Sequence, residues 1–277
     1  MSQAISISSP AGSAIHCGAS NSLVLFLGPC VMESRDSVLF HVEAIKKITQ
    51  AFPFPFVFKA SFDKANRTSA KAFRGIGIDE GLKIFQEVRK EFNVPVVSDI
   101  HSESDAEAAG SVLDVVQVPA FLCRQTDILL AAGKTGKAIL LKKGQFVAPV
   151  DMQYAVKKIN EHNNNVMLCE RGTCFGYREL IVDYRSFSVM SEFAPVVFDA
   201  THSVQVMGGA GGSSSGNSAY VPSLVRAAVS YGVSGLFVEC HKSPKDSPSD
   251  GPNMLSLEQL PKLLKDVAAL SALHFES

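Results

Sequence analysis

Hydrophobic residues in this chain fall into eight short runs, and each run finishes in polar or charged residues. They read LVLFLGPC at 23–30, FVFKAS at 56–61, VPVVSDI at 94–100, VVQVPA at 115–120, AILLKKG at 138–144, VMLCERG at 166–172, VVFDATH at 196–202 and GLFVECH at 235–241. Short continuous apolar runs of this kind read as strands buried on both faces. Between them the apolar spacing changes to that of a helix with one buried stripe. Residues 36–51 carry Val38, Leu39, Val42, Ile45 and Ile48, and residues 79–92 carry Leu82, Phe85, Val88 and Phe92. The same spacing recurs at 151–162, 220–231 and 256–270, and more weakly at 103–110, 125–133 and 178–192. Strand then helix, repeated, predicts parallel βα units. Eight comparable units predict an α/β fold, the (β/α)8 or TIM barrel, with its ligand site at the C-terminal ends of the strands. An open doubly wound sheet is the alternative, but no G-x-G-x-x-G string follows the first run.

Residues 1–22 precede this pattern as an extension. Ile5, Ile7, Ala14 and Ile15 alternate around Pro10–Gly12, which predicts a small β-hairpin capping the barrel bottom. Residues 23–277 then form a single catalytic barrel. Two segments read as mobile loops on the ligand face, GGAGGSSSGN at 208–217 and HKSPKDSPSDGPNM at 241–254.

Net charge is −1, so no overall field points to nucleic acid or a membrane surface. No apolar run approaches the roughly 20 residues needed to span a bilayer. The N-terminus lacks the basic-then-apolar pattern of a secretory signal. The six cysteines show no disulfide spacing, which fits a reducing, cytoplasmic setting.

Three constellations gather at the strand ends. Lys59, Lys64, Arg67, Arg124, Lys142, Lys143 and Arg171 form a cationic group that suits substrates with several negative charges. Cys30, His202, Glu239 and Asp250 become neighbours once the barrel closes, and a thiolate, an imidazole and carboxylates suit zinc, iron or manganese. The bland alternative is that His202 and Glu239 bind substrate hydroxyls while Cys30 packs. His241 is a rival ligand, expected to point away from Glu239 or lie beyond the strand. Asp99, His101, Glu170 and Asp199 supply acid–base capacity, with structural use of Glu170 and Asp199 equally open.

The strings GPCVMES, FKASFDKANRTS, PAFLCRQTDILLAA, KKGQFVAP, ERGTCFGY and DATHSVQ resemble, in order, those of the 3-deoxy-D-manno-octulosonate 8-phosphate synthases. The resemblance covers roughly residues 23–270. It implies condensation of phosphoenolpyruvate with D-arabinose 5-phosphate and water, in lipopolysaccharide assembly. Related synthases that use erythrose 4-phosphate carry a Lys-Pro-Arg-Thr type motif where this chain has Lys64-Ala65-Asn66-Arg67. Cys30 matches the metal-dependent class, in which one divalent ion is held by residues matching Cys30, His202, Glu239 and Asp250. Asp246 competes with Asp250 as fourth ligand. The resemblance assigns Lys59, Lys64, Gln117, Arg124, Lys142, Arg171 and Gln205 to phosphoenolpyruvate. It assigns Asn66, Arg67 and Thr68 to arabinose 5-phosphate. Lys59, Lys64, Lys142, Arg171, His202 and Asp99 form the expected catalytic set. A homotetramer with sites near subunit interfaces is implied as well. A synthase using erythrose 4-phosphate or an N-acetylated sugar, a Schiff-base aldolase working through Lys59 or Lys142, and a non-catalytic sugar-phosphate-binding barrel are the competing readings.

Overall fold

The computed structural model describes residues 3–18, 23–67, 69–174, 178–210 and 213–273. A two-stranded antiparallel hairpin comes first, β1 (Ile5–Ile7) with β2 (Ile15–Cys17). Gly12 turns it with φ of 85° and donates its amide to the Ser9 carbonyl at 3.0 Å. Eight parallel strands follow: β3 (Val24–Gly28), β4 (Phe56–Lys59), β5 (Val96–Asp99), β6 (Val115–Val118), β7 (Ala138–Lys142), β8 (Val166–Glu170), β9 (Val196–Asp199) and, after an antiparallel ribbon of β10 (Gln205–Ala210) with β11 (Ser213–Gly216), β12 (Gly235–His241). Each of the eight pairs with the next, and β12 pairs with both β9 and β3, so the sheet closes. A short β13 (Leu255–Ser256) adds to the end of β12. This is the (β/α)8 barrel that the alternating pattern predicts.

Helices α1 (Arg35–Thr49), α2 (Ile78–Phe92), α3 (Glu103–Gly110), α4 (Thr126–Lys134), α5 (Met152–Asn160), α6 (Arg185–Ser191), α7 (Val221–Tyr231) and α8 (Leu260–Ser271) sit between or after the strands. Their apolar stripes pack on the barrel exterior, as Val38, Val42 and Ile45 do beside Leu25 and Leu27. Serine hydroxyls start two of them: Ser34 accepts from the Ser37 amide at 3.2 Å, and Ser102 from Asp105 at 3.1 Å. Such caps satisfy amides that have no partner within the helix. The sixth helix is shorter than the predicted 178–192 span. Residues ahead of it are taken by a bridge between Thr173 and Ile181, which draws the chain back across the β8 loop.

Alternation separates two cores. Leu25, Phe58, Val116, Leu141, Leu168 and Phe198 face the helices. Val24, Phe26, Val57, Val97, Val115, Leu140, Met167, Val197 and Phe237 fill the barrel interior, and Ile5, Ile7 and Cys17 of the hairpin pack against that inner set. Asn165, at the foot of β8, accepts from the Ser6 amide at 2.8 Å and donates back to the Ser6 carbonyl. The hairpin therefore covers the end of the barrel opposite the site. Where mobile loops are expected, the described residues carry regular backbone: the β10–β11 ribbon after β9, and turns at Pro244–Asp246 and Gly251–Asn253 after β12. Residues 211–212 lie outside the described residues.

Candidate active site

The interior parity that buries apolar residues at the bottom delivers charge at the top. Val57 is followed two positions on by Lys59, Val97 by Asp99, Val115 by Gln117, Leu140 by Lys142, Val197 by Asp199 and Phe237 by Glu239. Side chains two apart on a strand share a face, so these six polar groups ring the mouth above an apolar floor. All six are buried. Gly28 ends β3 at this level. A Cβ there would lie 1.8 Å from the Lys59 carbonyl oxygen, so only glycine lets β3 and β4 approach this closely.

Each mouth lysine has a carboxylate. Lys59 Nζ pairs with Glu239 and donates to the Cys30 carbonyl at 2.8 Å. Lys64 Nζ meets Asp99 Oδ2 at 3.2 Å, and Lys142 Nζ meets Asp199 Oδ2 at 2.6 Å. Lys142 also lies 3.1 Å from the Phe237 ring centroid, held against the floor by its π face. Burial on its own would raise the carboxyls. At Asp99 this is overcome first by Lys64 and then by Lys59, which hold it well below the ordinary carboxylate range. At Asp199 burial is overcome by His202 and Lys142. Ser61 and Gln117 also donate to Asp99. Three of the cations that the sequence gathers here are thus compensated by carboxylates within the mouth, which leaves the arginines to meet an anionic ligand. Arg171 has no carboxylate at ion-pair distance among the described residues. Its Nη2 donates to Gln205 Oε1 at 2.9 Å, and its buried Nη1 has no hydrogen-bond partner among the described residues.

Cys30, Glu239 and Asp250 offer ligand atoms within 4.8 Å of one another. Cys30 Sγ lies 3.3 Å from Asp250 Oδ2. Glu239 Oε2 is buried with no hydrogen-bond partner among the described residues, and leaving a carboxylate oxygen in that state is costly unless something electropositive meets it. His202 Nδ1 is fixed by Asp199 Oδ2 at 2.8 Å, and its Nε2 lies 3.7 Å from Glu239 Oε1. A histidine whose one nitrogen is held by a carboxylate presents the other as a ligand. These residues fit a divalent ion. Burial first, then the charge of Glu239, pushes the Cys30 thiol well above its ordinary range. A thiolate there requires a cation to displace its proton. Asp250 reaches the cluster from a left-handed backbone, φ 52°, which aspartate tolerates better than most residues. Burial would raise its carboxyl, but His202 and Lys64 hold it below the ordinary value.

Several expected residues stand elsewhere. Lys143 and Glu170 have the opposite parity to Lys142. They pair at 3.5 Å outside the mouth, where Lys143 also donates to the Gly172 carbonyl at 3.2 Å and Glu170 accepts the Gly172 amide at 2.6 Å. They brace the loop carrying Arg171. His241 stacks on His41 of α1, centroids 4.5 Å apart, and faces Glu33 at 3.1 Å. Asp246 is exposed and accepts from Ser243 at 2.5 Å, so Asp250, not Asp246, joins Cys30. His101 lies 3.9 Å from both Asp63 and Asp105, away from the mouth pairs. Arg124 and Asn66 are exposed, and no side-chain hydrogen bond or ion pair brings either to the mouth among the described residues. Thr68 lies outside the described residues. Arg67 donates through Nη1 to Ser249 Oγ at 2.5 Å and through Nη2 to the Pro248 carbonyl at 2.9 Å. Ser61, Phe237 and Ser249 are site residues that the pattern alone did not single out. The parity of Phe237 with Glu239 was the available signal for one of them.

Buried charge gathered at the C-terminal ends of the strands, above a packed apolar interior, defines a (β/α)8 enzyme acting on small anionic substrates. The chain belongs to the DAHP synthetase I family, which it matches over residues 4–273. It is 54% identical over 243 residues to a 2-dehydro-3-deoxyphosphooctonate aldolase of Bartonella quintana (strain Toulouse), covering 87% of each chain. It is 52% identical over 260 residues to the protein of that name from Trichlorobacter lovleyi, covering 93% of this chain and 96% of the relative. A third such protein, from Rickettsia prowazekii, is 49% identical over 252 residues, 90% of this chain and 92% of the relative.

Proposed function

We infer that this chain condenses phosphoenolpyruvate with D-arabinose 5-phosphate and water to give 3-deoxy-D-manno-octulosonate 8-phosphate and inorganic phosphate, in lipopolysaccharide biosynthesis. The relatives' name describes this product, a 2-dehydro-3-deoxy eight-carbon acid phosphate. The observation that carries the reading in this chain is Arg171, a buried guanidinium whose Nη1 has no hydrogen-bond partner among the described residues, whereas Lys59, Lys64 and Lys142 are each ion-paired. A charged fork of this kind matches a phosphate or carboxylate.

In the reaction, C3 of phosphoenolpyruvate bonds to the aldehyde carbon of the sugar and water oxygen adds to C2. The C2–O bond breaks and phosphate leaves with its electron pair. The water gives up both protons as its oxygen becomes the C2 carbonyl: the aldehyde oxygen gains one and the departing phosphate the other. Arg171 holds the departing phosphate with Lys142 and Arg124, and Gln117 and Gln205 add neutral contacts. Lys59 and Lys64 lie toward the carboxylate. These groups are set before reaction, so they stabilise charge as it develops. His202 and Asp99 are the groups proposed to handle protons at the mouth. Asn66, Arg67 and Thr68 take the sugar phosphate; Arg67 has a buried Nε without a partner among the described residues. Cys30, His202, Glu239 and Asp250 would hold one divalent ion, zinc, iron or manganese, which would supply Lewis acidity. The reading takes 23–277 as one catalytic barrel with 1–22 as its appended hairpin, in a cytoplasmic homotetramer. Among the described residues no helix is long and apolar enough to cross a membrane.

A Schiff-base aldolase is the second reading. Against it, Lys59 and Lys142 are both ion-paired to buried carboxylates, which makes either a poor free-amine nucleophile. The deciding experiment measures phosphate release from phosphoenolpyruvate with arabinose 5-phosphate or erythrose 4-phosphate, before and after chelation and metal add-back. Chelator-sensitive turnover with arabinose 5-phosphate is expected. Turnover with erythrose 4-phosphate alone, or a borohydride-trapped adduct at Lys59 or Lys142, would overturn the reading.

A further inference from the structure

Two opposite charges at the mouth are joined through a neutral side chain instead of pairing directly. Gln205 Oε1 accepts from Arg171 Nη2 at 2.9 Å, and Gln205 Nε2 donates to Asp250 Oδ1 at 2.9 Å. The direction of both bonds follows from chemistry, since a guanidinium only donates and a carboxylate only accepts. Arg171 Nη1 is buried without a hydrogen-bond partner among the described residues. Asp250 keeps its other oxygen, Oδ2, for the cluster, 3.3 Å from Cys30 Sγ. Gln205 therefore stands between the proposed phosphate contact and a member of the proposed metal cluster.

The backbone holds this amide in place. Gln205 closes the short turn at His202–Val204, where its N–H donates to the His202 carbonyl, and it opens β10. It lies opposite Gly216 of β11, and the Asn217 amide donates to the Val204 carbonyl at 3.4 Å. A Cβ on Gly216 would overlap Asn253 Oδ1, so the foot of the ribbon is pressed against the turn that follows Asp250. The ribbon that carries Gln205 and the loop that carries Asp250 are thus packed on each other.

A side-chain amide offers an acceptor on one atom and donors on the other, without charge. It satisfies Arg171 and Asp250 together and keeps them from meeting. Without it, attraction between two poorly solvated opposite charges favours a direct ion pair. Such a pair would occupy nitrogens that a substrate anion needs and oxygens that a metal needs. We propose that Gln205 is a positioning residue that separates Arg171 from Asp250, keeping the guanidinium open to a phosphate and the carboxylate open to a divalent ion. The proposal rests on the reading of Arg171 and of the Cys30 cluster given above. It goes beyond a neutral contact with phosphoenolpyruvate, because it gives Gln205 an effect on metal binding when no substrate is present.

The test uses the full chain stripped of metal, with two calorimetric titrations: cobalt(II) without substrate, and phosphoenolpyruvate without metal. Gln205→Leu should weaken cobalt(II) binding by about tenfold or more. It should weaken phosphoenolpyruvate binding by about tenfold as well. Adding Asp250→Ala to Gln205→Leu removes the carboxylate that captures Arg171. This double variant should bind phosphoenolpyruvate about fivefold more tightly than Gln205→Leu, a larger gain than Asp250→Ala gives in the wild-type background. An unchanged cobalt(II) Kd in Gln205→Leu overturns the proposal and leaves Gln205 as a substrate contact only. A gain in the double variant no larger than that from Asp250→Ala alone overturns it too, because Arg171 was then never captured. If Gln205→Leu does not unfold cooperatively, Gln205→Asn takes its place in the same titrations, its amide being one methylene too short to span both partners. Wild-type protein that binds neither cobalt(II) nor phosphoenolpyruvate overturns the underlying reading, whereas normal wild-type binding with unaltered variants overturns the role of Gln205 alone.

Discussion

Asp199 and His202 are joined twice. The His202 amide donates to Asp199 Oδ1 at 2.9 Å, and the His202 ring nitrogen Nδ1 meets Oδ2 at 2.8 Å. The short turn after β9 brings a carboxylate and an imidazole three residues apart into one rigid unit. Asp199 also holds Lys142, so a single side chain orients a proposed metal ligand and a proposed phosphate contact. Asp199→Asn should lower metal affinity by about 10–100-fold, the usual effect of losing the group behind a ligand histidine. Metal content at graded free-metal concentration measures this. Affinity within about twofold of wild type would remove the orienting role.

Cys30→Ala should abolish metal retention through desalting and cut turnover by about 100-fold or more. Cys30→Asn is expected to keep some activity that no chelator touches. Full activity of Cys30→Ala in metal-free buffer would return Cys30 to a packing role.

Arg171→Lys keeps a charge but loses the planar fork. It should lower kcat/KM for phosphoenolpyruvate by about 10–100-fold, with little change in thermal stability, since Gln205 is its one hydrogen-bonded side-chain partner among the described residues. A wild-type kcat/KM would move the phosphate contact elsewhere.

His41 gives the fold a pH dependence. Burial, its largest influence, lowers its pKa from 6.5 to about 4. The unfolded chain therefore binds the proton more readily, and the contribution of neutral His41 is full above pH 6.5 and lost as pH falls toward 4. The swing is about 3 kcal/mol. Denaturant unfolding of wild type and His41→Gln at pH 7, 5.5 and 4 checks this. The wild type should lose more stability on acidification than the variant, and parallel losses would show that His41 does not carry the effect.

The barrel was legible because burial on both strand faces produces unbroken apolar runs, and helices betray themselves by spacing. The mouth was legible for a related reason: strand parity carries Val57 to Lys59 and Phe237 to Glu239. Parity also separates Lys142 from Lys143, a distinction that a list of cations at the strand ends misses. The β10–β11 ribbon was not legible, since a stretch of Gly and Ser has no apolar alternation to announce a strand. Nor was Ser249, which adjoins Asp250 in the chain but meets Cys30 and Arg67 only through closure of the barrel and folding of the β12 loop. The pairing of each lysine with its own carboxylate was likewise invisible, because those partners come from different strands.

Ile5, Ile7 and Cys17 seat the N-terminal hairpin against the inner core, so among the described residues the barrel is stopped at its far end and open at the strand ends. Arg171 and Lys142 lie deep behind that opening, while Arg67 stands near its threshold, only partly buried. On the proposed assignment of the two arginines, a ligand held by Arg171 is therefore expected to enter before one held by Arg67, and its product to leave after it.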